Sequence, residues 1–409
     1  MSIISKGISD FSKIENRIGN SIEELESLSR DMRTALVKDS HLIRIDTTST
    51  PNQRKLITID GAKVVDAMSH TDLVVVGASI AESLSETYVY DDETAPSYAY
   101  VDMIQHDSKN GEVASAVMSA QELAMLGMIL ELHPDHIAVI DGGWTSNLTQ
   151  ISIAFQKNRM ATNMVYDFLL ENPEAIGYMT TAIEALLTPK SKNAKRIIAL
   201  SKSDSNTVWS DRMENIDKDV SDRMRKFKIK DRALASSLLE SGEMLSPTYV
   251  DAGKSLRYNL DKWEEDGKKI HLDSDKKNPE IRRFIRWVLN FIHGNAINIE
   301  KDSGTYLWSA YFKPTEFTHV TKSLRAEFIR KTELEHPDDP QQDAHLIIPD
   351  AMPYISSVNK DIISNEILEP WCQYIADKRA KEVSHLARFV RNKLASGEHA
   401  AYFLSNYRT

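Results

Sequence analysis

Leu56-Ile57-Thr58-Ile59-Asp60-Gly61 and Ile137-Ala138-Val139-Ile140-Asp141-Gly142 are one pattern written twice. In each, a short apolar run rich in β-branched residues delivers a carboxylate at its end, and glycine follows at once. Between them lie two more β-rich runs, Leu73-Val74-Val75-Val76 and 98–104, and an apolar helix expected from about Val117 to Leu132. His133-Pro134 stops that helix. Two helices are expected between about Gln150 and Leu187, then a strand over 196–201. Strands interleaved with helices predict an α/β fold whose sheet is covered by helices.

Outward from this centre the texture changes. Phe11, Ile14, Ile18, Ile22, Leu25, Leu28, Met32 and Leu36 recur at helical spacing, predicting an amphipathic helix over 8–37. Its stripe could pack on the chain's own body, pair with a second copy or dock on a partner. Residues 205–300 are polar and lean toward helix. The β texture returns at 305–312 and again at 344–348, and helices are expected over roughly 362–402. The expected organisation is an N-terminal helical segment (1–50), a first part of the core (51–204), a mostly helical insertion (205–300), and a completing part with C-terminal helices (301–409).

The 409 residues can bury a full core without covalent staples. A formal charge of −10 argues against a generally basic nucleic-acid coat but leaves room for a local basic groove. Cys372 is the only cysteine, which excludes an intrachain disulfide and a cysteine-based zinc finger. No apolar run in the sequence approaches the ~20 residues that span a bilayer, and the start has no apolar signal core. A cytoplasmic protein is expected.

In open α/β sheets ligands bind at the carboxyl ends of the strands. If the two Asp-Gly strands are neighbours, Asp60 and Asp141 converge there, and close carboxylates share a proton or hold a cation. Glu122, expected in the first turn of the apolar helix, could add a third. Hard oxygen donors suit Mg²⁺ or Mn²⁺ better than zinc. Each Asp-Gly is also a hairpin-turn signal, and a glutamate at a helix start also answers the helix dipole. The order of strand-Asp, two strands, helix-Glu and strand-Asp is nevertheless the metal-site order of the ribonuclease H-like fold. Two other motifs fall short. Asp251-Ala252-Gly253-Lys254-Ser255 resembles a phosphate-binding loop, but Thr248 stands where its leading glycine belongs. His133 and His136 have no third ligand nearby in sequence.

These motifs, together with Ile197-Ile198-Ala199-Leu200-Ser201-Lys202-Ser203, resemble the NurA nuclease family from about residue 54 to 363, with a divergent middle. The resemblance implies a ribonuclease H-like mixed sheet flanked by helices, manganese-dependent DNA cleavage, a homodimer, and a hexameric HerA-type ATPase as partner. It also implies Asp60, Glu122 and Asp141 as metal ligands and Lys202 beside the scissile phosphate. One departure matters. Asn359 falls about where the family carries a histidine, and an amide can coordinate but cannot titrate near neutrality.

Two basic clusters are candidates for contact with DNA. Arg223, Arg225, Lys226, Lys228 and Lys230 form one; Arg282, Arg283 and Arg286, beside Phe284 and Trp287, form the other. Core anchors ringed by solvated charge would read the same way. The sequence therefore favours a Mn²⁺- or Mg²⁺-dependent DNA nuclease. A non-catalytic subunit that grips DNA and regulates a motor is the alternative, and another ribonuclease H-like enzyme, such as an integrase or a slicer, ranks last.

Overall fold

The long β-hairpin that carries Asp60 sits near the middle of a single mixed sheet. The structure, a computed structural model, describes residues 3–45, 55–68, 70–84, 90, 94–188, 191–201, 208–250, 270–296, 305–314, 322–331, 344–364, 367 and 369–396. Its strands are β1 (Leu42–Arg44), β2 (Leu56–Ala67), β3 (Thr71–Glu82), β4 (Ser97–Gln105), β5 (Ile137–Asp141), β6 (Ile197–Ser201), β7 (Glu243–Leu245), β8 (Thr248–Val250), β9 (Thr305–Phe312) and β10 (Leu324–Lys331). The sheet order is β1-β7-β9-β10-β6-β5-β2-β3-β4, with β8 also paired to β9. β2, β5 and β6 run parallel, while β3 is antiparallel to β2 and β4. This is the expected mixed α/β, ribonuclease H-like centre, extended by β10, β9 and β7.

One face is covered by α2 (Asn110–Leu132), α3 (Ser146–Lys157), α4 (Arg159–Glu171) and α5 (Ala175–Leu187). A later helix, Pro279–Ala296, joins them around one large core. α2 is apolar all round because it lies in the middle of that layer. It is also long and apolar enough to cross a membrane by length and composition, which corrects the reading that no segment approaches that length. Here 89% of its apolar window is buried inside the protein. Gly127 permits α2 and α5 to approach closely, because a Cβ there would collide with the Tyr178 carbonyl of α5.

The remaining helices, numbered on in chain order, are α1 (Ile3–Lys38), α6 (Val208–Ile216), α7 (Lys218–Phe227), α8 (Asp231–Leu238), α9 (the Pro279–Ala296 helix), α10 (Ala344–Lys360), α11 (Trp371–Ala380) and α12 (Val383–Ala395). α10 packs on the second face of the sheet against β6, β9 and β10. Leu28, Met32 and Leu36 of α1 are buried against Trp209, Met224 and Leu234, so this half of the stripe packs on its own chain. Arg33 clamps it with a two-pronged hydrogen bond to Glu243 (2.7 and 2.9 Å).

Three local expectations are corrected. Residues 150–187 hold three helices, because Asn158 caps a new one by accepting from Ala161 N (3.0 Å). Residues 344–348, expected as strand, open α10; a short apolar run does not distinguish a strand from a buried helix. The strand that completes the sheet is β10, in which Leu324, Ala326 and Phe328 alternate with Arg325 and Glu327.

Candidate active site at the strand ends

Register brings the two Asp-Gly motifs side by side. Ile59 pairs with Ile140 across the parallel β2–β5 ladder, so Asp60 and Asp141 follow at the same level on adjacent strands. Neighbouring strands lie about 4.8 Å apart. Both aspartates stand on the sheet face that α11 crosses. Thr58 Oγ1, two residues before Asp60, shares a hydrogen bond with Cys372 Sγ (2.8 Å), and Gln373 Nε2 donates to Asp141 Oδ1 (2.8 Å). Asp60 is 5% exposed, and its Oδ1 accepts from Gly61 N (2.9 Å).

The two glycines do different work. Gly142 has φ +98°, a left-handed conformation that ends β5 and turns the chain toward α3. Gly61 makes no turn, contrary to expectation, and β2 continues through it to Ala67. Its missing Cβ matters for another reason. A Cβ at 61 would lie 2.5 Å from Glu122 Oε1 and 2.6 Å from Met118 Cγ. The gap therefore admits the Glu122 carboxylate from the α2 side of the sheet.

Glu122 lies in the middle of α2, not in its first turn, so the helix dipole does not explain it. Part of its surface remains accessible, but the carboxyl is densely surrounded. Burial, followed by the charge of Asp60, raises its pKa to about 8, and Asp141 adds to the rise. Hydrogen bonds with Asn147 and Gly61 N oppose it. A carboxyl whose pKa is raised by neighbouring acidic groups belongs to an arrangement that a divalent cation relieves. The donor chemistry and the Gly61 gap thus fit Mg²⁺ or Mn²⁺. Among the described residues, however, no three His, Cys, Asp or Glu side chains stand as a finished cage. Gln373 and Gly61 N occupy oxygens that such an ion would use.

The structure adds residues that sequence reasoning missed. Glu327 in β10, 5% exposed, accepts from Trp144 N (2.7 Å) and pairs with Arg325 (2.5 Å). It thereby braces the turn that follows Asp141. Gln373 and Asn147 orient Asp141 and Glu122. The charge alternation of 324–328 was the available signal for Glu327; nothing local signals Gln373 or Asn147.

Other expected residues stand as follows. Lys202 and the Asp251–Ser255 motif lie outside the described residues. Asn359 is 3% exposed near the end of α10. Asp361 accepts from Leu84 N (3.0 Å) and Cys372 N (2.8 Å), pinning the start of α11. His133 bonds Tyr90 Oη (2.7 Å) and packs edge-on against His136. In the first basic cluster, Arg223 is tied to Glu24 (3.0 Å) and Asp31 (2.6 Å) of α1, and Arg225 to Asp211 (2.9 Å) and Glu214 (2.7 Å) of α6. Lys226, Lys228 and Lys230 are exposed. In the second, Arg282 donates to the carbonyls of Lys276 (2.5 Å) and Asp273 (3.1 Å), while Arg283 and Arg286 are exposed.

The crystal structure of the NurA nuclease from Sulfolobus solfataricus superposes with a TM-score of 0.51 at 11% identity, covering 96% of this chain and 98% of that one. The chain has the NurA fold. A second NurA crystal structure gives 0.48 at 11% identity over 95% and 99% of the two chains. NurA with manganese gives 0.42 at 15% identity over 95% and 100%. No family model and no curated protein sequence matches the chain. The NurA likeness is one of three-dimensional arrangement and extends over nearly the whole chain.

Proposed function

We propose that this protein is a nuclease that hydrolyses phosphodiester bonds in DNA at Asp60, Glu122 and Asp141, with Mn²⁺ or Mg²⁺ as cofactor. The observation that carries this reading is the junction at β2: two aspartates in register on adjacent strands and a glutamate admitted through the Gly61 gap. The proposed mechanism is two-metal hydrolysis: of two divalent cations that these three carboxylates would hold, one would activate water and the other would stabilise the leaving oxygen. In hydrolysis the water oxygen bonds to phosphorus, the bond to the leaving sugar oxygen breaks, and a proton ends on that oxygen.

The chain's own groups set up this chemistry. Gln373 and Asn147 hold Asp141 and Glu122 in orientation, and Glu327 fixes the turn behind Asp141. Burying Glu122 beside two aspartates concentrates negative charge where a cation is wanted. Lys202, one residue past the end of β6, is proposed to face the scissile phosphate, and Asn359 to stand in for the family's histidine. The NurA resemblance further supports a homodimer working with a HerA-like hexameric ATPase. Co-purification of such an ATPase with the tagged chain tests that pairing.

A second reading, a DNA-gripping subunit with little catalysis, is favoured by Asn359. The test is DNA cleavage in Mn²⁺, Mg²⁺ or EDTA by wild type, Asp60→Asn, Glu122→Gln and Asp141→Asn. Metal-dependent cutting lost in all three variants supports the enzyme. Intact DNA binding with no cutting under any condition, with or without the ATPase, overturns it in favour of the second reading.

A further inference from the structure

The start of α3 meets the middle of α2 at the carboxylates. There Ser119 Oγ donates to Asn147 Oδ1 (3.3 Å), and Asn147 in turn bonds Glu122. From that junction the helices lead away together. At 1.5 Å per residue, the path from Glu122 back to Asn110 is about 18 Å, and from Ser146 to Lys157 about 17 Å. Their far ends meet again, because Asn110, Val113 and Lys157 line one cavity of about 360 Å³. Arg159 stands in the wall of that cavity and also in the wall of a second, of about 630 Å³, against α9.

Together the two walls carry five cationic side chains, Lys109, Lys157, Arg159, Arg282 and Arg286, against two carboxylates, Asp107 and Asp273. Asp273 is already engaged by Arg159 and by Asn163 Nδ2 (2.5 Å). On a chain of net charge −10, this is a local reversal of sign. The floor of the larger cavity has an apolar stretch in the half-buried Ile270 and Leu272, backed by the buried Ile285 and Leu289.

We propose that these adjoining cavities form a binding trough for a single-stranded polynucleotide, laid along the far end of the α2–α3 pair from the carboxylates. A cationic rim takes phosphates, and a recessed apolar floor takes the faces of unstacked bases. A duplex offers its phosphates on a convex surface and keeps its bases stacked inside, so it could use the rim but not the floor. The trough rests on the nuclease reading only for its relation to the carboxylates. At the stacked spacing of 3.4 Å per nucleotide, about 18 Å is roughly five nucleotides, and fewer in a drawn-out strand.

Fluorescence anisotropy in EDTA separates binding from cleavage. The probes are an oligothymidine and an oligouridine of about 15 nucleotides and a blunt duplex of the same length. Lys157 and Arg286 are exposed, so the double variant Lys157→Gln/Arg286→Gln keeps the fold. It is expected to bind both single strands about tenfold more weakly, with a log–log salt slope shallower by about 1.4, as two lost phosphate contacts require. Wild-type affinity and slope in that variant, or wild-type binding of duplex as tight as of single strands, would overturn the trough. If wild type cuts DNA but the variant binds normally, the trough fails and the nuclease stands. Sensitive binding with no cutting by wild type gives the reverse.

Discussion

The Glu122 carboxylate occupies the volume that a side chain at residue 61 would fill: a Cβ on Gly61 would lie 2.5 Å from Glu122 Oε1. The glycine in the middle of β2 is thus explained by α2, a helix that begins roughly fifty residues later in the chain. Glu122 gains its neighbourhood with Asp60 and Asp141 through that gap, and with it the rise of its pKa to about 8.

Gly61→Ala is expected to displace Glu122 and Met118. Both obstructing atoms belong to flexible side chains, so the stability cost should be about 1–3 kcal/mol by urea denaturation. Cleavage should fall about a hundredfold or more, as for Glu122→Gln. Full cleavage by a folded Gly61→Ala protein would show that Glu122 is not needed where it stands.

Gly127→Ala should be harsher in stability. The obstacle is the backbone of Tyr178 in α5, which cannot swing aside as a side-chain tip can. A loss of about 3 kcal/mol or more is expected from denaturant midpoints. A loss below about 1 kcal/mol would mean that α2 and α5 can slide apart at little cost.

Glu327→Ala removes the acceptor for Trp144 N and the ion-pair partner of the buried Arg325. Breaking a buried pair on one side costs about 3–5 kcal/mol. Glu327→Gln retains an acceptor for the Trp144 amide and should recover part of that loss. Equal stabilities for the two variants would place the whole effect in the Arg325 pair.

His41 supplies a pH dependence away from the carboxylates. Burial, reinforced by Arg212, lowers its pKa from the usual 6.5 to about 4. Its Nδ1 lies 3.2 Å from Arg212 Nη2, a contact that suits the neutral ring. A His with a depressed folded pKa binds its proton more readily when unfolded, so stability falls with pH from about 6.5 toward 4. Thermal melts across that window should show the loss, and His41→Gln should flatten it. An unchanged slope in the variant would assign the acid sensitivity to other groups.

The sheet was legible where local pattern and tertiary role agree. β2, β5, β6 and β9 are apolar runs flanked by turn residues or charge, and the structure places them within a residue or so of expectation, apart from β2's continuation past Gly61. The pattern misled at 344–348, which is apolar enough to be buried as a strand or as a helix. β10 was missed because Arg325 and Glu327 read as surface charge until they are seen buried as a pair.

By itself the sequence determined the α/β class, the two strands that carry Asp60 and Asp141, and the three carboxylates as candidates, because these depend on short-range patterns and on the order of elements along the chain. Only the tertiary structure decided that Gly61 is a gap and Gly142 a turn, that Glu122 enters from mid-helix, and that Gln373 and Glu327 brace the Asp141 strand end. It also decided that Lys109, Lys157, Arg159, Arg282 and Arg286 line two cavities that share Arg159, although they come from three separate stretches of chain. Those facts depend on which side chains the packed layers bring within a few ångströms of one another, and two identical dipeptides carry no record of their different neighbours.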